Sequence, residues 1–219
     1  MKAKHLFVFG LTILAFTASA QEVNNLVAVE FSKVNIIYKG IDNPVTIVAS
    51  GYSAEDLSFS VTNGTIESTD TPGSLIIKTN ASHGSILELQ ILAKGTELRT
   101  LKYSVKAVPD PVLQLGNHKS GSAVTVDELI NTPINAYKDP SFVYDAHYSV
   151  KSFTIIVPVE GGVPQKYEIN GNKIAVNPAA AAAVRNSFHS GDNINFSSFN
   201  INTPNGLREN FVGIAFTVK

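Results

Sequence analysis

The chain of 219 residues sets 17 Lys and Arg against 18 Asp and Glu and contains no Cys and no Trp. A balance so close to neutral, with no basic run, excludes a nucleic-acid-binding role, since phosphates demand a positive surface; the missing Cys excludes disulfides, thiolate catalysis and Cys-ligated zinc. A chain of this length buries one large core or two ordinary ones, and an exported chain without disulfides must be stabilised by that core.

Residues 1–20, MKAKHLFVFGLTILAFTASA, place Lys2 and Lys4 before an apolar run from Leu6 to Phe16 and end in Ala18-Ser19-Ala20. That is the order of a secretory signal peptide cleaved before Gln21; the run is short for a bilayer span, which is the argument against an uncleaved anchor. No Cys follows to carry a lipid, and no later segment reaches transmembrane length. The mature chain, 21–219, is expected to be exported to the periplasm or the cell surface.

From Leu26 the chain reads as short strands, VAVEF, NIIY, VTIVA, LSFSV, GTIES, SLIIKT, ILELQILA and ELRTLKYSVKAV, without a helical-period segment. The break between NIIY and VTIVA, Gly40-Ile41-Asp42-Asn43-Pro44, predicts a turn or strand crossing: Gly40 and Asn43 tolerate unusual backbone angles, Asp42 or Asn43 can bond nearby main chain, and Pro44 suits a strand start. Asn63-Gly64, between FSVT and TIES, predicts a type I′ hairpin. Regular strands of this kind point to an immunoglobulin-like β-sandwich over 21–107. The prolines of Val108-Pro109-Asp110-Pro111-Val112 stiffen the chain and remove ladder donors, so a second domain is expected over 108–219; a loop inside one larger sandwich is the alternative.

The second half is expected to be β-rich with one or two short helices. Thr125 caps an acidic first turn, Asp127 and Glu128; Asn177-Pro178, followed by the alanines to Ala183, supplies a cap, a proline at the first helical position and strong helix formers, with the stop towards Gly191. FVYDAHYSV predicts a strand with Phe142, Tyr144, Ala146, Tyr148 and Val150 on one face and Val143, Asp145, His147 and Ser149 on the other, and a bulge near Ser152-Phe153. INFSSFNI and NFVGIAFTV, around Asn205-Gly206, predict a closing hairpin.

Residue chemistry declares no catalytic, cofactor or metal site. The histidines after the leader, His83, His118, His147 and His189, lack ligand spacing. His147 with Asp145 is the best pair, although a polar outer strand face accounts for both; a third ionisable group meeting them in a cleft would favour an enzyme. GNHKSG, from Gly116 to Gly121, lacks phosphate-loop order, no G-x-S-x-G elbow occurs, and the glycosylation patterns at Asn63, Asn80 and Asn195 are short enough to recur by chance. A glycan- or ligand-binding module is the alternative function, and it would need surface rings such as Tyr52, Tyr137 and Tyr167 grouped together.

The stretch NIIYKGIDNPVTIVASGYSAEDLSFSVTNGTI resembles the third domain of the gliding-motility protein GldM family, through Asn35, Tyr38, Gly40, Asp42, Asn43, Pro44, Val45, Asn63, Gly64 and Thr65. KAVPDPVLQLG, SFTIIV, HSGDNINFSSFNI and TPNGLRENFVGIAFTV resemble the junction into that family's fourth domain and its closing strands. The resemblance implies immunoglobulin-like periplasmic domains of the Gram-negative type IX secretion and gliding machinery. It implies protein–protein interaction without catalysis or cofactor, with envelope proteins such as outer-membrane ring lipoproteins as partners, and a homodimer as the family's assembly. The chain is expected to depart from the family by a cleavable leader in place of a membrane helix. Contacts are expected at exposed strand edges and around 108–112.

Overall fold

A computed structural model describes residues 27–31 and 36–219. The expected signal peptide and Asn35 of the family phrase lie outside the described residues.

The protein is mainly β. The first half contains β1 (Val27–Phe31), β2 (Ile37–Tyr38), β3 (Asn43–Ala49), β4 (Leu57–Val61), β5 (Thr65–Ser68), β6 (Ser74–Lys78), β7 (Ile86–Ala93) and β8 (Thr96–Lys106). They form two four-stranded sheets, ordered β1-β3-β6-β5 and β2-β8-β7-β4. Every pairing is antiparallel except that of β2 with β8. Alternation builds the core between them. Val45 and Ile47 of β3 and Leu75 and Ile77 of β6 meet Leu87, Leu89 and Ile91 of β7 and Val105 of β8, all buried, while the intervening side chains face outward.

Asn63-Gly64 is not a hairpin turn. β4 and β5 belong to different sheets, so the segment is a corner between layers. Asn63 has φ 55°, but Gly64 lacks the positive φ that a type I′ turn needs at both positions. Gly64 is required for a different reason: a Cβ there would lie 2.6 Å from the carbonyl oxygen of Lys78. The Thr79 hydroxyl ties the corner by donating to the Asn63 carbonyl.

The second half contains β9 (Val112–Leu115), β10 (His118–Lys119), β11 (Ala123–Val124), α1 (Val126–Asn131), β12 (Ile134–Tyr137), β13 (Ser149–Val157), β14 (Gln165–Asn170), α2 (Pro178–Ser187), β15 (Asn193–Thr203), β16 (Gly206–Phe211) and β17 (Ile214–Val218). One sheet runs β10-β9-β12; the other runs β11-β17-β15-β13-β14, with β16 also on β15. A second core collects Leu115 and Ile134 from the small sheet, Leu129 and Val184 from the helices, and Phe153, Phe196, Phe199 and Phe216 from the large sheet. Phe153 stacks on Phe199 with centroids 5.4 Å apart, and Phe196 meets Phe216 edge-on at 5.8 Å.

Both helices start where their caps predict. Thr125 Oγ1 accepts from the N–H of Glu128 at 3.1 Å, and Glu128 Oε2 accepts from the N–H of Thr125 at 2.7 Å, a reciprocal capping box. The hydrogen bonds from Thr125 hold the Glu128 carboxyl below its ordinary range, helped by Lys219 and His118. Asn177 Oδ1 accepts from the N–H of Ala180 at 3.1 Å, with Pro178 opening α2. This helix stops before Gly191, because Phe188 leaves the helical path and is buried in the core.

Two strand expectations are corrected. Residues 142–148 alternate in burial as read, yet join no sheet; pairing with β15 begins only at Ser149. The buried rings of that segment pack onto the first half. The bulge is present, as register shifts on either side of Ser152. The closing hairpin is three strands, since β16 and β17 pair in succession with β15. Between them the chain passes Val212-Gly213 so close to β15 that a Cβ on Gly213 would collide with the carbonyl of Phe196.

Candidate interaction surface at the junction of the two halves

The break between β2 and β3 owes its shape to one buried side chain. Asn43, 0% exposed, accepts from the N–H of Tyr38 through Oδ1 at 2.7 Å. It donates from Nδ2 to the carbonyls of Tyr38 at 2.8 Å, and of Ile41 and Ile77 at 3.1 Å each. The amide thus supplies partners that a tight loop leaves wanting. Asn43 itself has ordinary strand angles; the unusual backbone belongs to Gly40, φ 76°. Pro44 sits second in β3, ahead of the residues that pair with β1.

The loop so shaped presses on the second half. A side chain on Gly40 would collide with the carbonyl of Pro204, in the β15–β16 turn. Tyr38 meets Phe142 edge-on at 4.9 Å and Tyr144 at 5.2 Å, in geometry favourable for aromatic quadrupoles. Ile41, Val108, Phe142 and Tyr144 form a small third core there. Polar ties surround it. Tyr148 Oη donates to the carbonyl of Pro109 at 2.8 Å, and burial, reinforced by Asp110, pushes its phenol pKa up. The Asn205 amide, oriented to satisfy both ends, donates to Lys39 O and accepts from Val108 N, each at 3.1 Å. Arg208 pairs with Asp110 at 2.8 Å, an exposed pair of small energetic weight.

Beside this seam lies a cleft of ≈ 510 Å³ that both halves line. Gly40, Ile41, Asp42, Pro44 and Ile76 come from the first; Tyr144, Asp145, His147 and residues 202–204 come from the second. The structure therefore brings Asp42 to the same cleft as Asp145 and His147. Each carboxylate faces a lysine: Asp42 to Lys78 at 3.4 Å, Asp145 to Lys138 at 3.9 Å. No group of three His, Asp or Glu able to hold a metal ion occurs among the described residues.

The other histidines are dispersed. His83 Nδ1 accepts from the N–H of Ala107 at 3.2 Å, His118 faces Glu128 at 3.5 Å, and His189 faces Asp192 at 3.9 Å. Tyr52, Tyr137 and Tyr167 occupy separate elements, the turn after β3, the end of β12 and the middle of β14, and Tyr167 packs on the second core. Phe142 and Pro204 are junction and cleft residues that sequence reasoning missed as such. The TPNG turn was the one available signal for Pro204.

Fold and junction together define a mainly β protein of two successive sheet-built cores joined through a loop. Residues 26–106 match the family model of the GldM third domain, and this part of the chain is a domain of that family, ending with β8 where the first core ends. No curated protein matches the chain. Among solved structures it is similar to the adhesin InvE of Yersinia pseudotuberculosis, with 14% identity, 88% of this chain and 58% of that chain covered, and a TM-score of 0.30. It is also similar to domains 6-7 of the surface layer protein SbsC, with 12% identity, 88% and 97% covered, and a TM-score of 0.32. The chain spans 58% of the InvE chain. No helix among the described residues is long and apolar enough to cross a membrane.

Proposed function

We propose that this protein is an exported, non-enzymatic module that works by contacting other proteins of the Gram-negative envelope, within or beside the gliding and type IX secretion machinery. The observation that carries the reading is the match of residues 26–106 to the GldM third domain. In this reading residues 1–20 are a cleaved leader, 21–107 form one β-sandwich domain, and 108–219 form a second that resembles the family's C-terminal domain. The residues of the phrase around Asn43 are engaged in holding a loop against the second half. That use of Tyr38, Gly40 and Asn43 supports a tail whose two parts present one continuous contact surface. The dispersal of Tyr52, Tyr137 and Tyr167 supports protein contact over glycan stacking. The test is co-elution of purified residues 21–219 with the outer-membrane ring lipoproteins of the host in gel filtration. A shared peak is expected; separate elution at micromolar concentrations, with both partners folded, would remove the ring as the docking place.

A further inference from the structure

The cleft at the junction differs from the rest of the seam in its chemistry. Its lining contains two carboxylates, Asp42 from the first half and Asp145 from the second, and neither Lys nor Arg. Its walls are apolar, made by Ile41, Pro44, Ile76, Tyr144 and Pro204. The lysines nearest the carboxylates are held mainly by other groups. Lys78 Nζ is 2.8 Å from Glu67 against 3.4 Å from Asp42. Lys138 Nζ donates to the carbonyl of Tyr144 at 2.9 Å and stands 3.9 Å from Asp145. Asp42 and Asp145 are 60% and 93% exposed in their side chains, so each keeps acceptor capacity, which for a carboxylate is about four lone-pair sites.

We propose that this cleft receives a cationic side chain, an arginine or lysine carried by an extended segment of the partner protein; the inference rests on the protein-contact reading above. An apolar stem lying along Pro44, Ile76 and Pro204 with its charged head at the carboxylates satisfies both parts of the lining, which is how long basic side chains divide between surfaces. Arginine fits best, because its planar fork is weakly hydrated and offers five donors. The same carboxylates repel an acidic ligand, and the ring of Tyr144, 1% exposed, offers no stacking platform to a sugar. Since the carboxylates come from opposite halves, the site exists only while the junction is closed.

The experiment is an amide-resolved NMR titration of ¹⁵N-labelled residues 21–219 with blocked Gly-Arg-Gly, and with Gly-Glu-Gly as control. Saturable shifts are expected at Asp42, Asn43, Asp145, His147 and Thr203 with the arginine peptide, weakened about tenfold or more in D42N/D145N. Both substitutions are exposed, and an unchanged amide spectrum elsewhere verifies the fold. Shifts that do not saturate, that appear equally with the glutamate peptide, or that persist in the double variant overturn the proposal. Capture of an envelope partner by wild type and double variant alike overturns the cleft's role and leaves the proposed function standing. Failure of the wild type itself to capture any partner removes the proposed function and this inference with it.

Discussion

Replacing Asn43 with aspartate exchanges only the amide NH₂ for an oxygen, and should be among the most damaging substitutions in the first half. In the native loop the amide nitrogen donates to three carbonyls, of Tyr38, Ile41 and Ile77, while Oδ1 accepts from the N–H of Tyr38. Asn43→Ala leaves these groups short of partners. At ~1–3 kcal/mol for each buried group left unpaired, discounted because a carbonyl keeps a second lone pair, the loss is about 3 kcal/mol. Asn43→Asp keeps the acceptor from Tyr38 but turns a carboxylate onto three carbonyl oxygens in a site that is 0% exposed. An uncompensated buried charge costs about 3–5 kcal/mol beyond this, enough to exhaust much of a stability of ~5–15 kcal/mol.

The penalty must depend on pH, and its sign is fixed. Burial against acceptors raises the carboxyl pKa of the folded variant above the unfolded value of about 3.9, so the folded state binds the additional proton. Stability is therefore retained at and below about pH 4 and lost as pH rises through the folded pKa. When protonated, the introduced carboxyl donates one hydrogen bond and resembles the parent amide; when ionised, it does not. Urea unfolding followed by circular dichroism from about pH 4 to 8 should show Asn43→Asp at least as stable as Asn43→Ala at the acid end and weaker at neutral pH. Parallel curves for the two variants, or an aspartate variant as stable as wild type at about pH 7, would refute the clamp.

Further predictions come from other parts of the fold. Gly40→Ala and Gly51→Ala both force a side chain into left-handed backbone, φ 76° and 82°, at about 1–2 kcal/mol each. Only Gly40 faces Pro204, so the melting temperature of Gly40→Ala should fall further, and equal losses would remove the close contact. Thr125→Ala should cost about 1 kcal/mol through the lost cap. Because the Glu128 carboxyl is held low by Thr125, its contribution is present above its unfolded pKa and disappears as pH falls through the folded one; Glu128→Gln should flatten the acid limb of the stability profile. Phe153→Ala, truncating a ring stacked on Phe199 at 5.4 Å, should cost about 3–5 kcal/mol, read as loss of protection in hydrogen exchange across β13 and β15.

Strand existence was legible because the first half alternates with period two and its turns carry Gly, Pro and Asn; LSFSV and ILELQILA coincide with β4 and β7 residue for residue. Both helix starts were legible because caps act within about four residues. What failed was whatever depends on a distant partner. Asn63-Gly64 has hairpin chemistry, but whether consecutive strands pair or cross between sheets is decided by core packing. FVYDAHYSV has strand alternation, yet its rings are buried against Tyr38 and Ile41 rather than over a neighbouring strand. Asn43 was readable as a turn residue with a side chain able to bond main chain. Its reach to Ile77, 34 residues on, has no local signature, and neither does the meeting of Asp42 with Asp145.

Whether the protein works by contacting the secretion machinery is tested by a crosslinking pull-down of tagged residues 21–219 from the envelope of the native host, with partners identified by mass spectrometry. Specific enrichment of components of the gliding and type IX secretion machinery is expected, the outer-membrane ring lipoproteins first among them. Recovery of glycans or unrelated envelope proteins, with those components absent, would contradict it.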